Sequence, residues 1–338
     1  ATLLFLFLDG FAWADSLARS FSENNIVIAL VFFGILMALS QVLSIPFSYY
    51  HTFVIEERFG FNKKTKALFF SDLLKGWLLG ALIGGGLLAL IVWFYESVGA
   101  NFWLYAWAVV TVFSVVMNMF YARLIVPLFN KQTPLEEGSL KSKIEQYSQK
   151  VGFQLKNIFV IDGSKRSTKA NAYFSGFGRE KRITLFDTLI HDLSEEEIVS
   201  VLAHEVGHYK KNHIIINLLL SVALTGFTLW LLSVLIGSPV LSEALGVNTP
   251  SFHIGLVAFA ILYSPVSGIT GLIMNIFSRK FEYQADNFAK ETYAADPLIS
   301  SLKKLTKNNL SNLTPHPWYV FAHYTHPTLL QRFKNLKQ

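Results

Sequence analysis

Three side chains in the run VLAHEVGHYKKNH, residues 201 to 213, are spaced for metal chemistry: His204, Glu205 and His208 form a His-Glu-x-x-His pattern. On a helix, residues four apart stand one turn above each other, so the two imidazoles can share one cation. Glu205 lies beside them, where a carboxylate can take a proton from an activated water, as zinc peptidases do at neutral pH. A catalytic zinc has three protein ligands and one open position, so one zinc ion per chain needs a third ligand downstream. The chain has no Cys, which excludes disulfides and thiolate ligands and leaves His, Asp or Glu. Glu282, in SRKFEYQADNFAKE, is the candidate, and Asp286, one turn further along the same face, could orient a ligand imidazole through its second nitrogen. The bland alternative for both is the polar face of a solvated helix, with Arg279, Lys280 and Lys290 as neighbours.

These residues must be held by a helix, and the flanking sequence supplies its end signals. Ser194 is placed as an N-cap with Glu197 three residues later, a capping box, and Glu195 and Glu196 suit the positive end of the helix dipole. Lys210, Lys211 and His213 close the last turn, so a helix is expected from about Ser194 to Asn212. The downstream ligand would sit where a helix returns from an apolar stretch ending near Phe277.

That stretch is one of several. With 52% hydrophobic residues, 30 Phe and only 15% charged residues in a chain of 338, the composition points to an integral membrane protein. Uncharged runs at 26 to 46, 77 to 95, 102 to 122, 214 to 237 and 254 to 277 are each about long enough to cross a bilayer. The shorter run TLLFLFL, residues 2 to 8, lacks the basic region of a signal peptide and is expected to be the tail of a span cut off upstream. The spans divide the chain into alternating exposed sets, and one set takes every Lys and Arg of the 29 except Arg19. By the positive-inside rule, the basic segments 47 to 76, 123 to 213 and 278 to 338 face the cytoplasm. The net charge of +6 is then a solvated face near anionic lipid, and no nucleic-acid partner is needed to explain it.

At this level of detail the chain resembles the CAAX prenyl protease family, the Ste24-type integral membrane zinc metalloproteases. The resemblance is carried by FVIEERFGFN at 53 to 62, PLFNKQTPLEEG at 127 to 138, DGSKRSTKANAYFSGFG at 162 to 178 and KRITLFDTL at 181 to 189. It continues through LAHEVGH at 202 to 208, SRKFEYQAD at 278 to 286 and HYTHPTLLQRF at 323 to 333. It implies that His204, His208 and Glu282 hold the zinc, that Glu205 is the general base and that Asp286 supports a ligand. It further implies that His326 and Arg332 stabilise the oxyanion of the tetrahedral intermediate; by themselves these two would read as a polar loop and a surface helix. Asn171, Ala172 and Tyr173 match the family's edge strand, which holds an extended substrate by main-chain pairing. The alternation of NAYFSGFG followed by Arg182 to Phe186 suits a short hairpin with such an edge, although Asn171 could instead cap a turn.

The expected fold is therefore mainly α: a multi-pass transmembrane helical barrel carrying a cytoplasmic zincin-like metalloprotease domain with a small β-sheet. Residues 1–122 would hold the N-terminal spans, with the family's first span missing, the second truncated and a cytoplasmic loop at 47–76. Residues 123–213 would carry the catalytic region, 214–277 two further spans and 278–338 the C-terminal catalytic segment. The implied reaction is zinc-dependent cleavage of peptide or protein substrates, prenylated near a C-terminal Cys-a-a-X sequence, at a cytoplasmic-facing site. The membrane would be a bacterial inner membrane or, in a eukaryote, that of the endoplasmic reticulum. Two alternatives stand beside it: a membrane-protein quality-control protease with no prenyl requirement, and a transport or binding protein whose metal is not catalytic. His51, His191, His213, His253, His316 and His323 are given no catalytic role, being explained by polar or interfacial placement.

Overall fold

The computed structural model describes residues 2–153, 158–176 and 181–338. Contacts divide it into two compact units, one of residues 1–55, 66–114 and 219–267, the other of residues 56–65, 115–218 and 268–338.

The first unit is built of apolar helices. Among the described residues, four helical stretches are long and apolar enough to cross a membrane: Asn25–Glu56, Lys66–Phe129, His213–Leu235 and Phe252–Thr292. The sequence marks five, because the runs at 77 to 95 and 102 to 122 both fall in the second stretch, where Gly99, with φ of 59°, interrupts the helix. The 47 to 76 segment is also more helical than a loop: the chain continues through Pro46 to Glu56 and resumes at Lys66. Small side chains let these helices pack closely, since Ala14, Ala18, Ala29 and Ala106 are fully buried among Phe32, Phe102, Ile254 and Leu232. Gly255 is obligatory for one such approach, because a Cβ there would lie 2.2 Å from the Ile236 carbonyl oxygen. His253, expected at an interface, is instead buried in this unit, with Nε2 2.6 Å from the Asp15 carboxylate. Arg19 donates to the same carboxylate from one turn along the Gly10–Phe21 helix.

The second unit holds a four-stranded sheet and the helices packed on it. Strands β1 (Gln132–Pro134), β2 (Ile158–Ile161), β3 (Ala172–Ser175) and β4 (Arg182–Phe186) lie in the order β1-β2-β4-β3. Only β2 and β4 are parallel; β3 pairs antiparallel with β4 as the expected hairpin, with Tyr173 opposite Thr184, and forms one edge of the sheet. Phe177 and Gly178, the end of the motif containing β3, lie outside the described residues. Ile183 and Leu185 of β4 pack with Phe153, Leu189, Ile198, Leu202, Leu298 and Leu336 in the core.

The His-Glu-x-x-His motif lies in the helix Glu195–Lys210, whose N-terminus has the predicted capping box: Glu197 returns its side chain to the Ser194 N–H at 2.7 Å. Burial also recruits Glu197 into a wider network, where it accepts hydrogen bonds from Lys304 and Ser300 of the Ala295–Asn308 helix. The helix Phe252–Thr292 runs unbroken for 41 residues through the expected boundary at 277, so its apolar part and Glu282 belong to one element. This helix meets the motif helix at Gly207. A Cβ at Gly207 would stand 3.0 Å from the Ala285 Cα and 3.1 Å from its carbonyl oxygen. Gly207→Ala must therefore push the helices apart, and it is expected to cost about 1–3 kcal/mol, as overpacking does, read as a lower melting temperature in detergent.

Candidate metal and catalytic centre

The close approach at Gly207 brings one helix's carboxylates against the other's imidazoles. His204 Nε2 and His208 Nε2 are 3.2 Å apart, and Glu282 spans them, with Oε2 3.5 Å from His204 and Oε1 3.3 Å from His208. Ligands about 2.0–2.1 Å from a tetrahedral ion are about 3.3–3.4 Å from one another, so this triangle has the size a single cation requires. The chemistry also fits. Glu282 is buried, and its Oε2 has no hydrogen-bond partner, an expensive state for a carboxylate that a metal would relieve. The three residues form the metal-capable group found among the described residues.

The surrounding polar groups fix which imidazole nitrogen points at that triangle. Asp286, fully buried, accepts from His204 Nδ1 at 2.9 Å, so His204 keeps a proton on Nδ1 and Nε2 is the nitrogen turned to the cation's place. For His208 the equivalent work is done by a residue that the sequence left without a role. His213 is 1% exposed and contacts His208 Nδ1 through its own Nδ1 at 3.0 Å, while its Nε2 lies 2.8 Å from Gln284 Oε1. Gln284 accepts the Nε2 proton, which makes His213 Nδ1 an acceptor; His208 then donates from Nδ1 and keeps Nε2 bare. His213 also stacks on Phe281 with ring centroids 4.2 Å apart. The signal in the sequence was faint. Asn212 adopts a left-handed φ of 58°, a conformation Asn tolerates, and this reverses the chain so that His213 folds back onto the motif.

Arg332 and His326 arrive from the C-terminal segment. Arg332, on the helix Leu329–Lys337, is buried and donates from Nε and Nη2 to the two oxygens of Asp286, at 2.9 and 2.5 Å. Its Nη1 faces Glu282 Oε2 at 3.7 Å. Burial opposes the Arg332 charge, but the Asp286 carboxylate outweighs it and keeps the guanidinium protonated. His326 is more open, its side chain 61% exposed and its Nε2 3.3 Å from Glu282 Oε1.

A cavity of about 180 Å³ joins these groups. His204, Glu205, Glu282, His326, Arg332, Asn171 and Ala172 all border it. Burial pushes the Glu205 carboxyl above its ordinary range, the direction that suits a base working near neutrality. At the mouth of the edge strand, Asn171 does two jobs: its carbonyl accepts from the Phe186 N–H at 3.0 Å, and its side chain accepts from the Ala172 N–H at 2.9 Å. Alternation along an antiparallel pair then turns the main-chain groups of Ala172 and Phe174 to the free edge, with the Ala172 donor engaged by Asn171. Tyr173 faces β4 through its backbone.

Burial opposes charge on His204, yet the hydrogen bond to Asp286 and the facing Glu282 carboxylate prevail and push its pKa up to about 9. A cation must therefore displace a proton, and metal affinity is expected to rise with pH about tenfold per unit below pH 9, then level off, in competition titrations with a chelator. His213→Ala is expected to weaken metal binding about 10–100-fold, as loss of an orienting partner does, in the same titration.

Comparison with known proteins places this geometry in context. Residues 1–131 match the family described as CAAX prenyl protease N-terminal, five membrane helices, and residues 134–338 match peptidase family M48. The CAAX prenyl protease 1 homolog of Oryza sativa subsp. japonica is 42% identical over 322 residues, covering 94% of this chain and 75% of the relative. CAAX prenyl protease 1 of Saccharomyces cerevisiae is 38% identical, covering 93% and 73%, and the Homo sapiens homolog is 35% identical, covering 93% and 74%. The crystal structure of S. mikatae Ste24p superposes with a TM-score of 0.95 at 36% identity, covering 100% of this chain and 83% of that one.

Proposed function

Because this chain is a member of the M48 peptidase family and of its membrane CAAX prenyl protease branch, an integral multi-pass membrane metalloendopeptidase, we propose that it is a zinc enzyme cleaving prenylated peptides or proteins near their C-termini. The observation that carries the reading is the convergence of His204 Nε2, His208 Nε2 and Glu282 within 3.2 to 3.5 Å of one another beside Glu205. Two imidazoles and one carboxylate, with no thiolate, suit a catalytic zinc with an open position. When bound there, zinc would lower the pKa of a water and polarise the scissile carbonyl.

The remaining steps belong to the chain's own residues. Asp286 and the His213–Gln284 pair hold the two imidazoles in the tautomers that present Nε2. Glu205 takes the proton from the attacking water and passes it to the leaving amine nitrogen, an exchange its raised pKa favours. His326, exposed to the cavity, donates to the developing oxyanion. Arg332 holds Asp286 with two of its nitrogens, and Nη1, the one left over, adds positive charge on the oxyanion side. The free edge of β3 receives the substrate as an added strand through Ala172 and Phe174, once the Asn171 side chain releases the Ala172 N–H. The prenylated substrate is supported by the names of the relatives, and a cytoplasmic orientation of the site by the concentration of Lys and Arg in the segments that carry it.

The test is cleavage in detergent of matched farnesylated and unlipidated C-terminal peptides, with products mapped by mass spectrometry. Chelator-sensitive cleavage favouring the lipidated peptide is expected; equal cleavage of both would replace the prenyl reading with a general membrane protease. Glu205→Gln should lower turnover about 10³-fold, within the range for loss of a general base, while its zinc content stays that of the unmodified chain. Retained turnover would remove Glu205 from the mechanism.

A further inference from the structure

A second cavity, of about 460 Å³, lies further along the same edge strand. Met117 and Tyr121 of the Phe102–Leu124 helix, Phe174 and Gly176 at the end of β3, and Ile214 are among its walls. Not one Lys, Arg, Asp or Glu is among the described residues lining it. Its volume is within the roughly 300–1,000 Å³ of sites that take drug-sized ligands, more than a single peptide side chain needs.

The two cavities are connected by one strand. Asn171 and Ala172 border the metal centre, and Tyr173 through Gly176 border the apolar cavity. At about 3.4 Å per residue, the second cavity begins one residue beyond the first and follows the strand for roughly 10 Å. A peptide added to the free edge of β3 is therefore led from one to the other by main-chain pairing. Antiparallel pairing, the more stable arrangement, lays the substrate's N-terminal side toward Phe174 and Gly176. A group carried just N-terminal to the scissile bond must be bulky, uncharged and largely apolar to fill this space. Met117 offers an adaptable wall and the aromatic rings flat ones, which suit a branched, unsaturated chain.

We propose that this cavity is the subsite for the isoprenoid of a lipidated cysteine, seated between Met117, Tyr121, Phe174 and Ile214 while the peptide backbone pairs with β3. The inference rests on the reading above that the chain cleaves prenylated peptides. It gives that reading a specificity determinant remote from the metal ligands.

Two measurements test it on the full-length chain in detergent. Met117→Trp fills the cavity, so the ratio of kcat/KM for a farnesylated peptide to that for its unlipidated match should fall at least tenfold, mostly through KM of the farnesylated peptide. In parallel, the Glu205→Gln chain is irradiated with a peptide carrying a photoreactive diazirine farnesyl group, and adducts are mapped by mass spectrometry. Adducts on residues 117–121, 174–176 or 214 support the assignment. A ratio unmoved by Met117→Trp, or adducts confined to other residues, would overturn it. The adducts require binding but no turnover, so they report on the cavity even if the protease reading fails, and absence of cleavage with both peptides would count against that reading alone.

Discussion

The site depends on how closely two helices can approach. Gly207 stands between Glu205 and His208 on the motif helix, and a Cβ there would stand only 3.0 Å from the Ala285 Cα. Ala285 in turn lies between Glu282 and Asp286, so the contact fixes both carboxylates at the level of the two imidazoles. A single methyl group at position 207 would compete with that geometry. The triangle of His204, His208 and Glu282 is thus a product of packing: each ligand is held by the element that carries it, and the elements are held by a contact that contains no ligand.

Around the triangle, burial makes the polar network demanding. A buried carboxylate such as Asp286 is tolerable only when fully partnered, and Arg332 and His204 occupy both its oxygens. The result is more than neutralisation. Because Asp286 accepts from Nδ1 of His204, and Gln284 sets the proton on His213 that sets the proton on His208, both ligand imidazoles hold a proton on Nδ1 and turn Nε2 toward the cation's place. Arg332 is placed by its ion pair and has one nitrogen left toward Glu282, which makes it a positioning residue for Asp286 first and a source of charge at the cavity second.

The sheet has a different task. It contributes no metal ligand; β4 is buried in the core, and this steadies β3 as an edge whose outer groups remain available. Asn171 shields the Ala172 donor in the absence of a paired strand, a device that limits unwanted edge pairing close to the reactive centre. Catalytic groups on helices and a substrate rail on the sheet are therefore supplied by separate elements that share one cavity.

Much of this was written locally in the sequence. The motif helix, its capping box, the β3–β4 hairpin and the apolar stretches follow from periodicity and end signals, which act over a few residues. His204, Glu205 and His208 are four positions apart at most, so helical geometry alone brings them together, and Glu282 and Asp286 are legible as a one-turn pair. What a local pattern cannot decide is which distant groups meet. Nothing near Gly207 announces that Ala285 will lie against it, nothing in Arg332 specifies that it binds Asp286, and His213 gains its contact with His208 only because Asn212 turns left-handed. The burial of His253 against Asp15 has the same origin. Sequence determined the elements and the chemistry each one carries; tertiary structure decided the partners, because a buried charge or imidazole takes its state from groups far along the chain that packing brings within 3 Å or so of it.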